Sequence, residues 1–197
     1  MKLATLALGL LIPFAMPAQA NTQFLVDFEK TWDYGQTVDN TYAGSGVVFT
    51  NMLGLSNDPA FPPYYSNSPS PQGVGFVQLD GVTNTTAYMN VAGGVSGVLD
   101  FFYASPTAIT GAIKAYSGLN GTGDLLGVLD LAANTGSDYD SWTEASFAFA
   151  GKAMSFDLSG AANIAAFDNF SALPEPGEVS LVLAALGGLV VARRRRG

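Results

Sequence analysis

The chain has 197 residues, a formal net charge of −8, and neither cysteine nor histidine. Lacking both excludes Ser-His-Asp and Cys-His catalysis, histidine-ligated zinc, copper or iron sites, the usual neutral-pH general base, and disulfide staples. Between residues 21 and 173 the only basic side chains are Lys30, Lys114 and Lys152, whereas every acidic residue except Glu175 and Glu178 lies in that span. A surface of that sign repels phosphate backbones, so nucleic acid is excluded as a partner, while divalent cations and neutral glycans remain allowed.

The N-terminus reads as a signal peptide over residues 1–20. Lys2 supplies a short positive region, Leu3 to Ile12 an apolar one, and Ala18-Gln19-Ala20 an A-x-A site for signal peptidase before Asn21. The mature chain is thus expected to be exported. Removing this segment and the tail from Pro174 leaves residues 21–173, a length that predicts one domain.

That domain is punctuated by Gly, Asn, Asp and Pro between short segments rich in Val, Phe, Tyr, Thr and Ile, an all-β pattern. Strands are predicted near Phe24–Glu29, Gly46–Asn51, Gly75–Asp80, Thr85–Val91, Gly97–Ala104, Ile109–Ser117, Leu125–Leu131, Trp142–Ala150, Ala153–Ser159 and Ile164–Ser171. Phe24, Val26 and Phe28 alternate with Asp27 and Glu29, and Met154, Phe156 and Leu158 with Ser155 and Asp157, so one face of each strand packs inward and the other meets water. Asn120-Gly121 predicts a hairpin joining Ile109–Ser117 to Leu125–Leu131. The expected architecture is a two-sheet antiparallel sandwich of the jelly-roll kind, flanked by the signal helix and a C-terminal membrane-like helix.

Three constellations are candidate sites. Val26-Asp27-Phe28-Glu29 opens the domain and Phe167-Asp168-Asn169-Phe170 closes it. The pair resembles the terminal strands of MAM-like and related carbohydrate-binding-module-like jelly rolls, although Asn169 stands where those have a second Asp. The resemblance implies a structural calcium held by Glu29 and Asp168, with Asp27 as a further ligand; the alternative is solvated edge carboxylates or turn formers. Secondly, Asp58 to Pro71 is a proline-rich loop whose Phe61, Tyr64 and Tyr65 offer flat faces for stacking on the C–H side of a sugar ring, unless they fold back onto the domain. Thirdly, Asp138-Tyr139-Asp140, with Glu144 nearby, lacks the continuation of a calcium loop and reads as a solvated segment.

Catalytic signatures are missing. There is no G-x-S-x-G elbow and no P-loop, and Gly121-Thr122-Gly123-Asp124-Leu125-Leu126-Gly127 misses G-x-G-x-x-G within a hairpin. Glu29 and Glu144 are the only glutamates of the domain, and no enzymatic activity is expected.

The C-terminal segment, residues 174–197, has three parts: Pro174-Glu175-Pro176, an uncharged run from Val179 to Ala192, and Arg193, Arg194, Arg195 and Arg196. As a helix the run would span roughly 21 Å, short of the roughly 30 Å hydrocarbon core, which suits a temporary anchor. The arginines stay cytoplasmic and place the rest of the chain across the membrane. This order resembles the PEP-CTERM sorting signal of exopolysaccharide-producing Gram-negative bacteria. That resemblance implies processing by the membrane protease exosortase, transient inner-membrane anchoring and a final place at the cell surface or in the extracellular polysaccharide matrix, where a structural or adhesive role fits. An uncut tail anchor is the alternative.

Overall fold

The computed structural model describes residues 23–56 and 64–172. Nine strands run in chain order: β1 (Phe24–Val26), β2 (Val47–Thr50), β3 (Met52–Ser56), β4 (Gly73–Val77), β5 (Tyr88–Ala104), β6 (Ile109–Tyr116), β7 (Leu125–Leu131), β8 (Thr143–Asp157) and β9 (Ala166–Ala172). All pairings are antiparallel, in the order β3-β4-β9-β5-β8-β6-β7, with β1 beside β9 and β2 beside β5. The all-β expectation therefore holds. Among the described residues no helix is long and apolar enough to cross a membrane. The signal peptide with Ala18 and Ala20, Phe61, and the tail from Pro174 to Arg196 lie outside the described residues.

Two strand assignments change for a common reason. The expected strands Thr85–Val91 and Gly97–Ala104 belong to the single strand β5, and Trp142–Ala150 and Ala153–Ser159 to β8. The intervening glycines act as bulges: Gly94, Gly97 and Gly151 have φ of 69°, 82° and 75°, and the β5–β8 register slips between Asn90 and Val95 and again between Ser96 and Val98. A bulge bends a strand without ending it. Each long strand consequently serves two neighbourhoods. Val47–Thr50 of β2 pairs with the first four residues of β5, whereas β9 pairs with its end, from Asp100 to Ala104. Likewise β8 pairs along β5 but gives Ser155–Asp157 to β6.

Strand β3, Met52–Ser56, has no counterpart among the expected segments. It turns back at Asn51 (φ 56°), and its centre is Gly54, a residue that weakens a strand signal. Glycine is required there by packing. The Trp32 indole lies on Gly54, donates its Nε1–H to the Phe28 carbonyl at 3.0 Å, and is closed in by a 2.6 Å hydrogen bond from its own backbone N–H to Ser56 Oγ.

The inward faces fill with aromatic rings. Phe28, Phe49, Phe101, Phe167 and Phe170 form one cluster at centroid spacings of 5.2 to 6.4 Å, and Phe147, Phe149 and Phe156 form another. Phe24, Val26 and Phe28 are buried as their alternation predicts. Ser155 departs from the expected pattern. It is fully buried because the β6–β7 hairpin covers it: Ser155 Oγ donates to the Gly118 carbonyl at 2.6 Å and accepts from the Gly121 N–H at 2.9 Å.

A Cβ at Gly54 would sit 1.9 Å from the Trp32 ring, whereas one at Gly136 meets nothing within 4 Å. Gly54→Ala is expected to destabilise by about 1–3 kcal/mol, the usual range for overpacking, and Gly136→Ala to stay within about 0.5 kcal/mol of the parent. Urea denaturation of both variants checks this.

Candidate ligand-binding face

The chain ends of the domain are neighbours. Strand β1 pairs with β9 in the register Phe24↔Ala172 to Val26↔Phe170, which carries Asp27 and Glu29 toward Asp168. Phe28 and Asn169 both take left-handed backbone, with φ of 51° and 52°. Those kinks break strict alternation where the acidic groups cluster.

Asp168 is fully buried, contrary to the solvated alternative. Its Oδ2 accepts from the Ser70 N–H at 2.7 Å and its Oδ1 from the Asn169 N–H at 2.8 Å. Ser70 Oγ donates to Asn169 Oδ1 at 3.0 Å, and the Gln72 N–H donates to Glu29 Oε2 at 3.3 Å. The acidic constellation thus clamps the C-terminal side of the proline-rich loop onto the sheet. Burial pushes the Asp168 carboxyl up to about 7, against the lowering effect of its hydrogen bonds, and the Glu29 charge adds to the rise. Asp27 faces elsewhere: its Oδ1 accepts from the Tyr42 hydroxyl at 3.3 Å and the Glu29 N–H at 3.2 Å. Burial, then the Asp27 charge, raise the Tyr42 phenol above its ordinary value.

Calcium requires about six to eight oxygen ligands. Glu29 and Asp168 are carboxylates of the type calcium takes, but both Asp168 oxygens already accept backbone N–H groups. Asp27 is committed to Tyr42, and no convergent group of three or more acidic, histidine or cysteine side chains occurs among the described residues. Backbone carbonyls and water would have to complete the shell.

The clamped loop meets the acidic loop, whose backbone and Tyr139 dock against it while Asp138, Asp140 and Glu144 remain exposed, as expected of a solvated segment. The Tyr65 N–H donates to the Asp138 carbonyl at 3.0 Å, Asn67 Nδ2 to the Asp140 carbonyl at 3.0 Å, and Trp142 Nε1 to the Ser66 carbonyl at 3.3 Å. Together they build a tyrosine array. Tyr64 and Tyr65 lie 6.3 Å apart, Tyr65 and Tyr139 5.4 Å, and Tyr139 meets the edge of Phe76 at 6.2 Å. Tyr139 is fixed by donating to the Ile164 carbonyl at 2.7 Å. Tyr64 remains 54% exposed, whereas Tyr65 is half-buried and its phenol is raised to about 12 by that burial.

Sequence reasoning thus singled out Tyr64 and Tyr65 for their rings but read Tyr139 only as part of the acidic loop. The only signal for it was an aromatic inside an otherwise polar loop. Rings held by a hydrogen-bonded frame, one of them open to solvent, form a platform for stacking on apolar ligand faces.

No family model and no curated protein matches the chain. One solved structure that does is a glycoside hydrolase family 43 arabinoxylan arabinofuranohydrolase from Bacillus subtilis in complex with cellotetraose, at 16% identity and a TM-score of 0.38. The match covers 66% of this chain and 24% of that enzyme, so the chain spans about a quarter of its length.

The buried carboxyl gives stability a distinct pH dependence. From its ordinary 3.8 up to about 7 the folded chain keeps a proton that the unfolded chain has released, so Asp168 lowers stability as pH rises through that window. Below it both states are protonated. Urea unfolding at about pH 4, 5.5 and 7 should show the parent losing stability relative to Asp168→Asn as pH increases; parallel profiles would refute the shift.

Proposed function

We propose that residues 21–173 are a non-enzymatic exported domain, a two-sheet sandwich of the jelly-roll kind, released from residues 1–20 and sorted through residues 174–197. Exosortase handles the tail at the inner membrane, and the product resides at the cell surface or in the extracellular polysaccharide matrix in a structural or adhesive role. The sequence of the two ends carries the route. One structural observation supports the display: Phe24 pairs with Ala172, so both junctions emerge side by side, while the tyrosine array adjoins Ile164 beyond the other end of β9. Seven residues of strand separate these places by roughly 23 Å. The array thus lies at the end of β9 opposite to the one that leads toward the tail.

Mass spectrometry of the native protein tests the route. The expected product begins at Asn21 and lacks Arg193 to Arg196; an intact arginine run on most of the mature protein defeats the sorting reading. A hydrolase panel on the purified protein tests the non-enzymatic part, with no turnover expected.

The exposed Tyr64 favours a second reading, in which the domain is a glycan-binding module. Tyr64, Tyr65 and the proline-rich loop bearing Phe61 provide the contact, and Glu29 and Asp168 hold a stabilising calcium. Retention on polysaccharide gels should fall several-fold in a Tyr64→Ala, Tyr65→Ala double variant. Millimolar calcium should raise the melting temperature by several degrees in the parent and not in Asp168→Ala. Unchanged retention rejects the glycan contact, and a calcium-independent melt rejects the ion.

A further inference from the structure

Strands β3 and β4 present a continuous outer face. Leu53 lies opposite Phe76 across the β3–β4 pair, and Gln78 follows two residues beyond Phe76, on the same side. Phe76 is the last ring of the tyrosine array. Beyond it opens a recess of about 230 Å³ lined by Thr37, Asn51, Leu53, Gln78, Asp80 and Asn84 among others. That volume lies below the roughly 300–1,000 Å³ of pockets for drug-sized ligands, so any occupant is small.

The lining combines three kinds of group. Asp80 stays ionised because the Thr83 hydroxyl and the N–H groups of Val82, Asn84 and Thr83 all donate to it, holding its carboxyl below the usual range. Asn51 donates through Nδ2 to the Thr86 carbonyl at 2.7 Å, which fixes its orientation and leaves Oδ1 as an acceptor. No hydrogen bond among the described residues uses the side-chain amides of Gln78 and Asn84, so each offers two donors and an acceptor. Leu53 supplies the apolar wall. Leu79 is pinned by reciprocal hydrogen bonds with Asn163, at 3.1 and 2.8 Å, so the wall behind it is rigid.

Closely spaced donors and acceptors beside an apolar wall match a ring carrying several hydroxyls and one C–H face. The recess has a carboxylate and, among the described residues, no cationic lining residue, which disfavours anions. Asp80 already receives four hydrogen bonds from its own loop, leaving little capacity to pair an ammonium group. Neutral hydroxyls need only what remains.

We propose that the recess and the tyrosine array are one continuous site for the end of a neutral glycan chain. The terminal ring sits in the recess, between the amides of Gln78 and Asn84 and the Leu53 wall, and the following rings pass over Phe76 and Tyr139 toward Tyr64. This rests on the glycan-binding reading of the tyrosines and adds the residues that select a chain end. Gln78 and Asn84 are exposed, so their truncation leaves the core untouched.

Calorimetric titration of the purified full chain tests it, using neutral tetrasaccharides of glucose, mannose, galactose and xylose and the corresponding monosaccharides. For the tetrasaccharide bound best, the Gln78→Ala, Asn84→Ala double variant should weaken binding at least about tenfold and abolish binding of its monosaccharide. Tyr64→Ala should weaken the tetrasaccharide and leave the monosaccharide unchanged. If Tyr64→Ala weakens binding while the double variant binds as the parent does, glycan contact stands and the continuous site is overturned. If the parent binds no member of the set at millimolar concentration, both fall.

Discussion

The buried carboxyl group of Asp168 is the constraint on which the candidate ligand-binding face depends. It sits on the last strand with no exposure and with backbone donors on both oxygens. Burial of a carboxylate is costly, and burial of an unpaired Ser70 N–H would be costly as well; each group offsets the other's desolvation. The consequence is a fixed position for the C-terminal side of the proline-rich loop. From there Tyr65 reaches the Asp138 carbonyl and Trp142 reaches Ser66, so the two loops cover the sheet as a unit. The tyrosine array is therefore a product of the acidic cluster, although Tyr65 and Asp168 lie about half the chain apart.

Two bent strands provide the frame. Because β5 and β8 continue through their bulges, a single hydrogen-bonded network connects β2 and β6 at one end to β9 at the other. The phenylalanine clusters fill the space between these parts, and the absence of disulfides places the burden of stability on that packing. Glycine has a specific part in this. At Gly94, Gly97 and Gly151 it permits positive φ within a strand, and at Gly54 it makes room for Trp32.

The charge distribution bears on both faces of the molecule. With three lysines opposing the acidic side chains between residues 21 and 173, few carboxylates have a cationic partner available, and several are satisfied locally by backbone N–H groups or hydroxyls. Asp80 and Asp168 show the two outcomes of such pairing. Asp80 is exposed and its hydrogen bonds lower its carboxyl, while burial at Asp168 outweighs similar bonds and raises it. The same local satisfaction contrasts with the side-chain amides of Gln78 and Asn84, which make no hydrogen bond among the described residues.

The sequence by itself determined the all-β class, the inward faces of the first strand, and the Asn120-Gly121 hairpin, because alternation and turn chemistry are local. It also singled out Asp168 and Glu29, and Tyr64 and Tyr65, as separate candidates. Only the tertiary structure decided that these belong together. A bulge glycine and a strand-breaking glycine look alike in sequence, so the continuity of β5 and β8 was hidden. The ring contacts of Tyr139 were hidden too, since its neighbours in sequence are polar and its neighbours in space, Tyr65 and Phe76, are far along the chain. The recess draws on Thr37, Asn51 and the stretch from Gln78 to Asn84, three separate parts of the chain, and no local pattern marks such residues. Long-range strand register, which depends on packing and not on propensity, brought them to one face.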